Sequence, residues 1–135
     1  MADLKTIYVL FIRSLLEHSA TVWHSSLSES NHNDLERVQK TAFKIILDSK
    51  YKSYNHALKT LDMETLEERR EQLCLKFARK SAKHPKFKHV FPRNLKSHNM
   101  NTRNPESFKV SQAFTERYMK SSVIYMQKLL NKYGI

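Results

Sequence analysis

Apolar positions mark out the chain before anything else does. Between Asp3 and Ala20, residues Leu4, Ile7, Tyr8, Phe11, Leu15 and Leu16 recur at helical spacing, which predicts a first helix over about 3–20. Leu10 and Ile12 fall outside that stripe. Such a helix is apolar around most of its circumference and requires burial on more than one side. It therefore points to a neighbour larger than this chain offers. Ser25–Asn33, rich in Ser and Asn, reads as a loop that carries N-cap candidates. A second helix is expected over about Asp34–Leu47. Leu35, Val38, Ala42, Ile45 and Ile46 lie on one face, and Arg37, Lys40, Thr41, Lys44 and Asp48 on the other.

Ser53 caps a short third helix to Leu61, with Tyr54, Ala57, Leu58 and Leu61 inward. The fourth helix has the clearest start. Thr65-Leu66-Glu67-Glu68 is a capping box: the Thr oxygen accepts from the amide of Glu68, and the Glu68 carboxylate returns to the amide of Thr65. Leu66, Leu73, Cys74, Phe77 and Ala78 form its apolar side, and Pro85 stops it. From Pro85 to Glu106 no period is sustained, which reads as an irregular basic loop. Phe108–Phe114 suits a short extended segment. Ser121 or Ser122 then caps a last helix, about Ser122–Lys132, with Ile124, Tyr125, Leu129 and Leu130 apolar. Tyr8 and Trp23 read as core residues rather than ligand platforms. The fold class is mainly α: a small bundle of about four to five helices with an irregular basic loop and a C-terminal helix.

Composition supports helices. The 135 residues contain only 1 glycine, Gly134, and 3 prolines, Pro85, Pro92 and Pro105, too few for the turns of an all-β fold. Charge adds a partner class. The net charge is +11, and it is uneven: residues 1–63 hold 8 basic and 7 acidic side chains, residues 64–135 hold 16 and 6. No acidic residue lies between Glu71 and Glu106, a stretch that contains Lys76, Arg79, Lys80, Lys83, Lys86, Lys88, Arg93, Lys96 and Arg103. A one-signed field of this kind attracts polyanions, nucleic acid first and anionic membrane second. The membrane reading is the weaker, because the basic segment has no sustained amphipathic helix with Trp or Phe along one face.

The lone Cys74 cannot form an internal disulfide and suits a reducing compartment. The apolar run Ile7–Ile12 is far shorter than the roughly 20 residues of a spanning helix. Asp3 precedes it where a signal peptide would carry basic residues. The expected location is cytoplasmic or nuclear. No cofactor is expected, since a chain with its single glycine at 134 has no glycine-rich phosphate loop, and no Ser/His/Asp arrangement is visible. No metal site is expected either. His84 and His89 straddle Pro85, and no second cysteine completes a zinc-like set.

Three constellations are candidates for nucleic-acid contact. Arg37, Lys40 and Lys44 share a face at i, i+3, i+7, the pattern of a sequence-blind phosphate contact or of a solvated helix face. Arg69, Lys76, Lys80 and Lys83, with Arg70 and Arg79 beside them, form a second basic face. Glu67, Glu68 and Glu71 are placed to pair with Arg70, Arg69 and Lys76 and so dilute its first part. Lys86, Lys88, His89, Arg93, Lys96 and Arg103 are interleaved with Phe87 and Phe91, which suits stacking on single strands or, as the favoured reading, pins the loop to a core.

Five sequence pieces in order carry a resemblance. They are Phe11-Ile12-Arg13-Ser14-Leu15-Leu16-Glu17-His18; Val22-Trp23-His24; Leu35-Glu36-Arg37-Val38-Gln39-Lys40 with Ile45-Ile46-Leu47; Leu66 to Phe77; and Thr115-Glu116-Arg117-Tyr118 with Ser121, Ile124-Tyr125 and Leu129-Leu130-Asn131. Together they resemble the region after the palm in non-LTR (LINE-type, jockey-like) retrotransposon reverse transcriptases. The resemblance covers nearly the whole chain, with Lys86–Pro105 its least informative part. It implies a thumb-like helical bundle over residues 1–84, which in that family grips the template–primer duplex, and a basic loop and helical tail over 85–135. The chain departs from the family where chemistry is concerned. The polymerase centre needs clustered carboxylates for two metal ions, and here Asp3, Asp34, Asp48 and Asp62 stand apart with no Asp-Asp pair. The endonuclease domain and the cysteine-rich knuckle of some members have no counterpart. The expectation is thus a non-enzymatic fragment that binds RNA or an RNA–DNA duplex without sequence preference. Its rivals are a functionless remnant of a truncated mobile element and a helical interaction module that takes a protein partner through helix 3–20.

Overall fold

The computed structural model describes residues 2–94 and 107–135, and it is mainly α. The elements are α1 (Ala2–Ile7), a π-helical segment (Tyr8–Arg13), α2 (Ser14–Glu17), α3 (Ala20–Trp23), α4 (Glu29–Leu47), α5 (Tyr54–Leu61), α6 (Leu66–Lys83), α7 (Glu116–Met119) and α8 (Ser122–Tyr133). Short 3-10 turns lie at His24–Ser26, Asp48–Lys50 and Pro85–Phe87. Among the described residues β structure is limited to one antiparallel bridge, Arg93 to Phe108. The chain divides into two compact units: residues 1–20 with 27–71, and residues 21–26 with 72–135. The boundary read from the sequence, at 84/85, falls inside the second of them.

The first helix differs from its sequence pattern. It is not one α-helix to Ala20. Its middle is π-helical, and it ends at Glu17, where His18 turns extended and Ser19 takes φ 52°. Ser14 supplies a local cause: its hydroxyl donates to the carbonyl of Leu10 at 2.6 Å and of Phe11 at 3.1 Å, competing with the backbone amide for those acceptors. The wider π turn shifts the register of everything along it. Tyr8 turns inward, while Leu4, Ile7, Leu10, Phe11 and Leu15 stay exposed.

Part of the stretch expected as a loop, Ser25–Asn33, is helical. Ser28 is the N-cap of α4, its side chain accepting from the amide of Asn31, so α4 begins at Glu29 rather than Asp34. The inward face also differs. Gln39, Phe43, Ile46 and Leu47 are buried, whereas Val38 and Ile45 face solvent. Phe43 decides this: it meets Tyr8 edge-on at 5.8 Å and stacks on Tyr54 at 5.8 Å, at the centre of a core with Ile46, Leu47, Ala57 and Leu61.

The expected caps of α5 and α6 are present. Ser53 accepts from the amide of His56 at 3.2 Å. Thr65 and Glu68 make the reciprocal pair of a capping box, at 3.2 Å and 3.1 Å. Along α6, Leu66, Arg70, Cys74 and Ala78 are buried at i+4 intervals, while Phe77 is half exposed.

The second unit has its own core, in which Ala78, Phe91, Phe108, Met126 and Leu130 pack together. Side-chain amides of α8 fasten the loop strands to it. Asn131 brackets Phe108, accepting from its amide at 2.7 Å and donating to its carbonyl at 3.0 Å. Gln127, fully buried, accepts from the amide of Ser111 at 2.8 Å and donates to the carbonyl of Val90 at 2.8 Å. The extended segment expected at Phe108–Phe114 is therefore held by side chains rather than by a sheet. Part of the expected irregular loop, with Lys96 and Arg103, lies outside the described residues.

Candidate nucleic-acid interface

In the second unit the sequence places 14 basic and 2 acidic residues, a net of +12, and in the first 10 and 11, a net of −1. The whole positive excess thus belongs to one unit. Lys76, Lys80 and Lys83 follow i, i+4, i+7 on α6 and are all exposed, so their ammonium groups share one side of the helix. Lys83 also lies in the last turn, where the helix dipole favours cations. Beyond the helix, Lys86 and Lys88 are exposed on and after the 3-10 turn that Pro85 opens.

Arg79 behaves differently. It is half-buried, and its guanidinium donates to the carbonyls of Tyr133 at 3.2 Å and Gly134 at 3.1 Å, closing the C-terminal end of α8. That end is where a helix leaves carbonyls without intrahelical donors. The two phenylalanines also part company. Phe91 is buried edge-on against Phe108 at 6.4 Å, whereas Phe87 stays half exposed beside the His84 ring at 5.5 Å. The one described carboxylate of the unit, Glu116, pairs with Lys120 at 2.6 Å, which holds its carboxyl below the usual range.

In the first unit Arg37, Lys40 and Lys44 are exposed along α4. Arg37 lies 3.4 Å from Asp34. Lys40 lies over the Tyr54 ring at 5.1 Å and Lys44 over the Tyr51 ring at 5.8 Å, so both ammonium groups rest on aromatic faces. Arg69 is a brace: its Nε lies 3.2 Å from Glu17 Oε1, and Glu17 also receives Arg13 at 3.5 Å. Glu68, placed by sequence to pair with Arg69, is committed to the cap of Thr65. Arg70 is fully buried, with Nη2 3.2 Å from His32 Nδ1.

Of the ten residues singled out from sequence, Arg37, Lys40, Lys44, Lys76, Lys80, Lys83, Lys86 and Lys88 are therefore open to solvent, and Arg69 and Arg79 are engaged within their units. A polar network in the first unit was not visible in the pattern. Tyr8 donates to Gln39 Oε1 at 2.6 Å, and Gln39 Nε2 donates to Tyr54 Oη at 2.9 Å and the Glu64 carbonyl at 3.0 Å. Tyr54 donates to Glu36, which also accepts from the amide of Leu66. Burial, the largest cause, raises the hydroxyls of both Tyr8 and Tyr54 above the ordinary tyrosine range. Gln39 at a central helix position was the sole hint.

The chain matches no protein-family model, no curated protein and no solved structure. Among the described residues no three His, Cys, Asp or Glu side chains gather as a metal site, and no helix is long and apolar enough to cross a membrane. The second unit presents an exposed row of ammonium groups. Such groups bind phosphate as point charges, by attraction and counterion release rather than by reading bases.

Proposed function

We propose that this chain is a non-catalytic piece of a non-LTR retrotransposon reverse transcriptase that binds RNA or an RNA–DNA duplex without sequence preference. The observation that carries the binding is the row Lys76, Lys80 and Lys83, exposed on one face of α6 inside a stretch with no acidic residue. Lys86 and Lys88 continue it. The retrotransposon origin rests on the resemblance of the five sequence pieces. Arg37, Lys40 and Lys44 form a secondary surface in the other unit, weaker because Asp34 offsets Arg37.

Fluorescence anisotropy with a short labelled RNA–DNA duplex tests this between about 50 and 200 mM salt, where six or more phosphate contacts weaken binding about a thousandfold. Lys76, Lys80 and Lys83 changed together to Ala should lower the salt slope by about 3. Absence of binding at 50 mM sinks the reading. A second reading is favoured by the exposed apolar residues of the first helix: a remnant of a truncated element with no surviving role. A cooperative melt above about 45 °C counts against that remnant.

A further inference from the structure

The helical arm from Ala2 to Glu17 is mounted with its polarity reversed. Inward, the Tyr8 ring and Val9 meet the apolar core, but polar contacts fasten the arm: Lys5 donates to the Leu61 carbonyl, Tyr8 to Gln39, and Glu17 holds Arg13 and Arg69. Outward, beside Asp3, Thr6 and Ser14, it carries large apolar side chains. Leu10, Phe11 and Leu15 keep 61%, 65% and 76% of their surface exposed, with Leu4 and Ile7 beside them. The π segment contributes to this arrangement, because its wider turn carries Phe11 away from the side of Tyr8 and toward that of Leu10, which lies opposite Tyr8 in either kind of turn. Ile12 extends the patch into an open apolar groove of about 530 Å³ that it shares with Val38, Ala42 and Ile45 of α4. Scattered apolar side chains on a surface need no explanation, but large ones gathered on one short arm beside an apolar groove suit an interaction site.

We propose that this face joins two copies of the chain, arm against arm, about a two-fold axis. Charge favours the second copy as occupant. The unit that bears the patch has a net of −1, and the two ionised groups that line the groove, Asp34 and Arg37, lie 3.4 Å apart and offset each other, so the groove presents no unbalanced charge to a second copy. Antiparallel pairing centred between Leu10 and Phe11 sets Asp3 of one copy across from His18 of the other, while Lys5, Arg13 and Glu17 remain turned inward. Area favours it as well. Each exposed large side chain offers on the order of 100 Å². The arm and groove together then supply roughly 800 Å² per copy, the share of one partner in a standard interface. A two-fold interface uses the same patch twice, so no complementary surface elsewhere is required. The face shares no residue with the Lys76–Lys83 row, although Arg37 of the secondary basic surface lines the groove, so pairing and duplex binding through that row succeed or fail separately.

Sedimentation velocity on the full chain, nuclease-treated and in about 0.5 M salt to suppress charge-mediated association, is the test. The expected result is a concentration-dependent shift from monomer to dimer between about 1 and 100 µM. Phe11→Asp with Leu15→Asp should raise the dissociation constant at least about thirtyfold, with the circular dichroism spectrum unchanged because both side chains are exposed. A second readout does not depend on those variants: Leu10→Cys, next to the axis, should form a disulfide between copies, and Lys52→Cys should not. A monomer at 100 µM, an open series of larger species, a dimer indifferent to the Asp pair, or capture by phosphatidylcholine vesicles in place of dimerisation overturns the proposal.

Discussion

The hydroxyl of Tyr8 donates to Gln39 Oε1 across 2.6 Å, with both side chains buried and 31 residues apart in sequence. This bond is the first link of a chain that runs through Tyr54 to Glu36 and the amide that opens α6. It ties the first helical arm to α4, α5 and the α6 start by polar contacts at the place where an apolar seam would be ordinary. Buried polar groups specify geometry because each must find its partner.

Removing the Tyr8 hydroxyl should therefore cost stability without loss of packing. Tyr8→Phe keeps the edge-on contact with Phe43 but strips Gln39 Oε1 of its buried donor, at a cost of about 1–3 kcal/mol. Urea denaturation should show a lower midpoint with an unchanged slope. An unchanged midpoint would mean that water reaches Gln39.

The same network makes the fold sensitive to alkali. Burial raises the hydroxyls of Tyr8 and Tyr54 above the ordinary tyrosine value of 10.0, so the folded state holds protons that the unfolded chain releases. Their contribution is complete below pH 10 and is lost as pH rises above it, since ionisation then favours the unfolded chain. Thermal melts from pH 8 to 11 should be flat at first and fall beyond pH 10, and Tyr8→Phe should blunt the fall. A fall equally steep in the variant would show that Tyr8 plays no part.

Arg69 and Lys80 lie on one helix but should respond in opposite ways. Arg69→Ala breaks the brace to Glu17, whose side chain is only 12% exposed, at a cost of about 1 kcal/mol. It should leave duplex affinity nearly unchanged. Lys80→Ala should leave the melting temperature unchanged and weaken duplex binding, with a shallower salt slope. A double cycle with Glu17→Ala isolates the Arg69 coupling. Equal effects of the two variants on affinity would place Arg69 at the nucleic-acid surface after all.

A stabilising change is also predicted. Asp48 ends α4 at φ 45°, ψ −119°, backbone that L side chains rarely adopt. Asp48→Gly should raise stability by about 1 kcal/mol, or several degrees in calorimetry. A loss would show that the Asp48 carboxylate makes a compensating contact.

Local signals were read correctly where they depend on a few adjacent residues. The Ser53 cap and the Thr65–Glu68 box placed α5 and α6, because a cap is made within one turn. Patterns that depend on a partner distant in sequence are not legible in the same way. Val38 and Ile45 look inward on periodicity, yet Gln39 and Phe43 are the buried pair, since Tyr8 and Tyr54 lie opposite them. The basic row was legible from the missing acids, but the split between exposed Lys80 and engaged Arg79 was not. Only the position of the α8 carbonyls decides it.

The sequence by itself determined a mainly helical chain, the starts of α5, α6 and α8, and a positive excess gathered after Glu71. Those properties follow from turn chemistry and from charge, which are local or additive. The tertiary structure alone decided which face each helix turns inward. Periodicity says that a stripe exists, but not that a π turn will carry Phe11 out of the stripe it shares with Tyr8, nor that Lys5, Tyr8 and Glu17 will find partners distant in sequence. Which face is covered depends on what stands opposite, and that is settled only when the chain has closed upon itself.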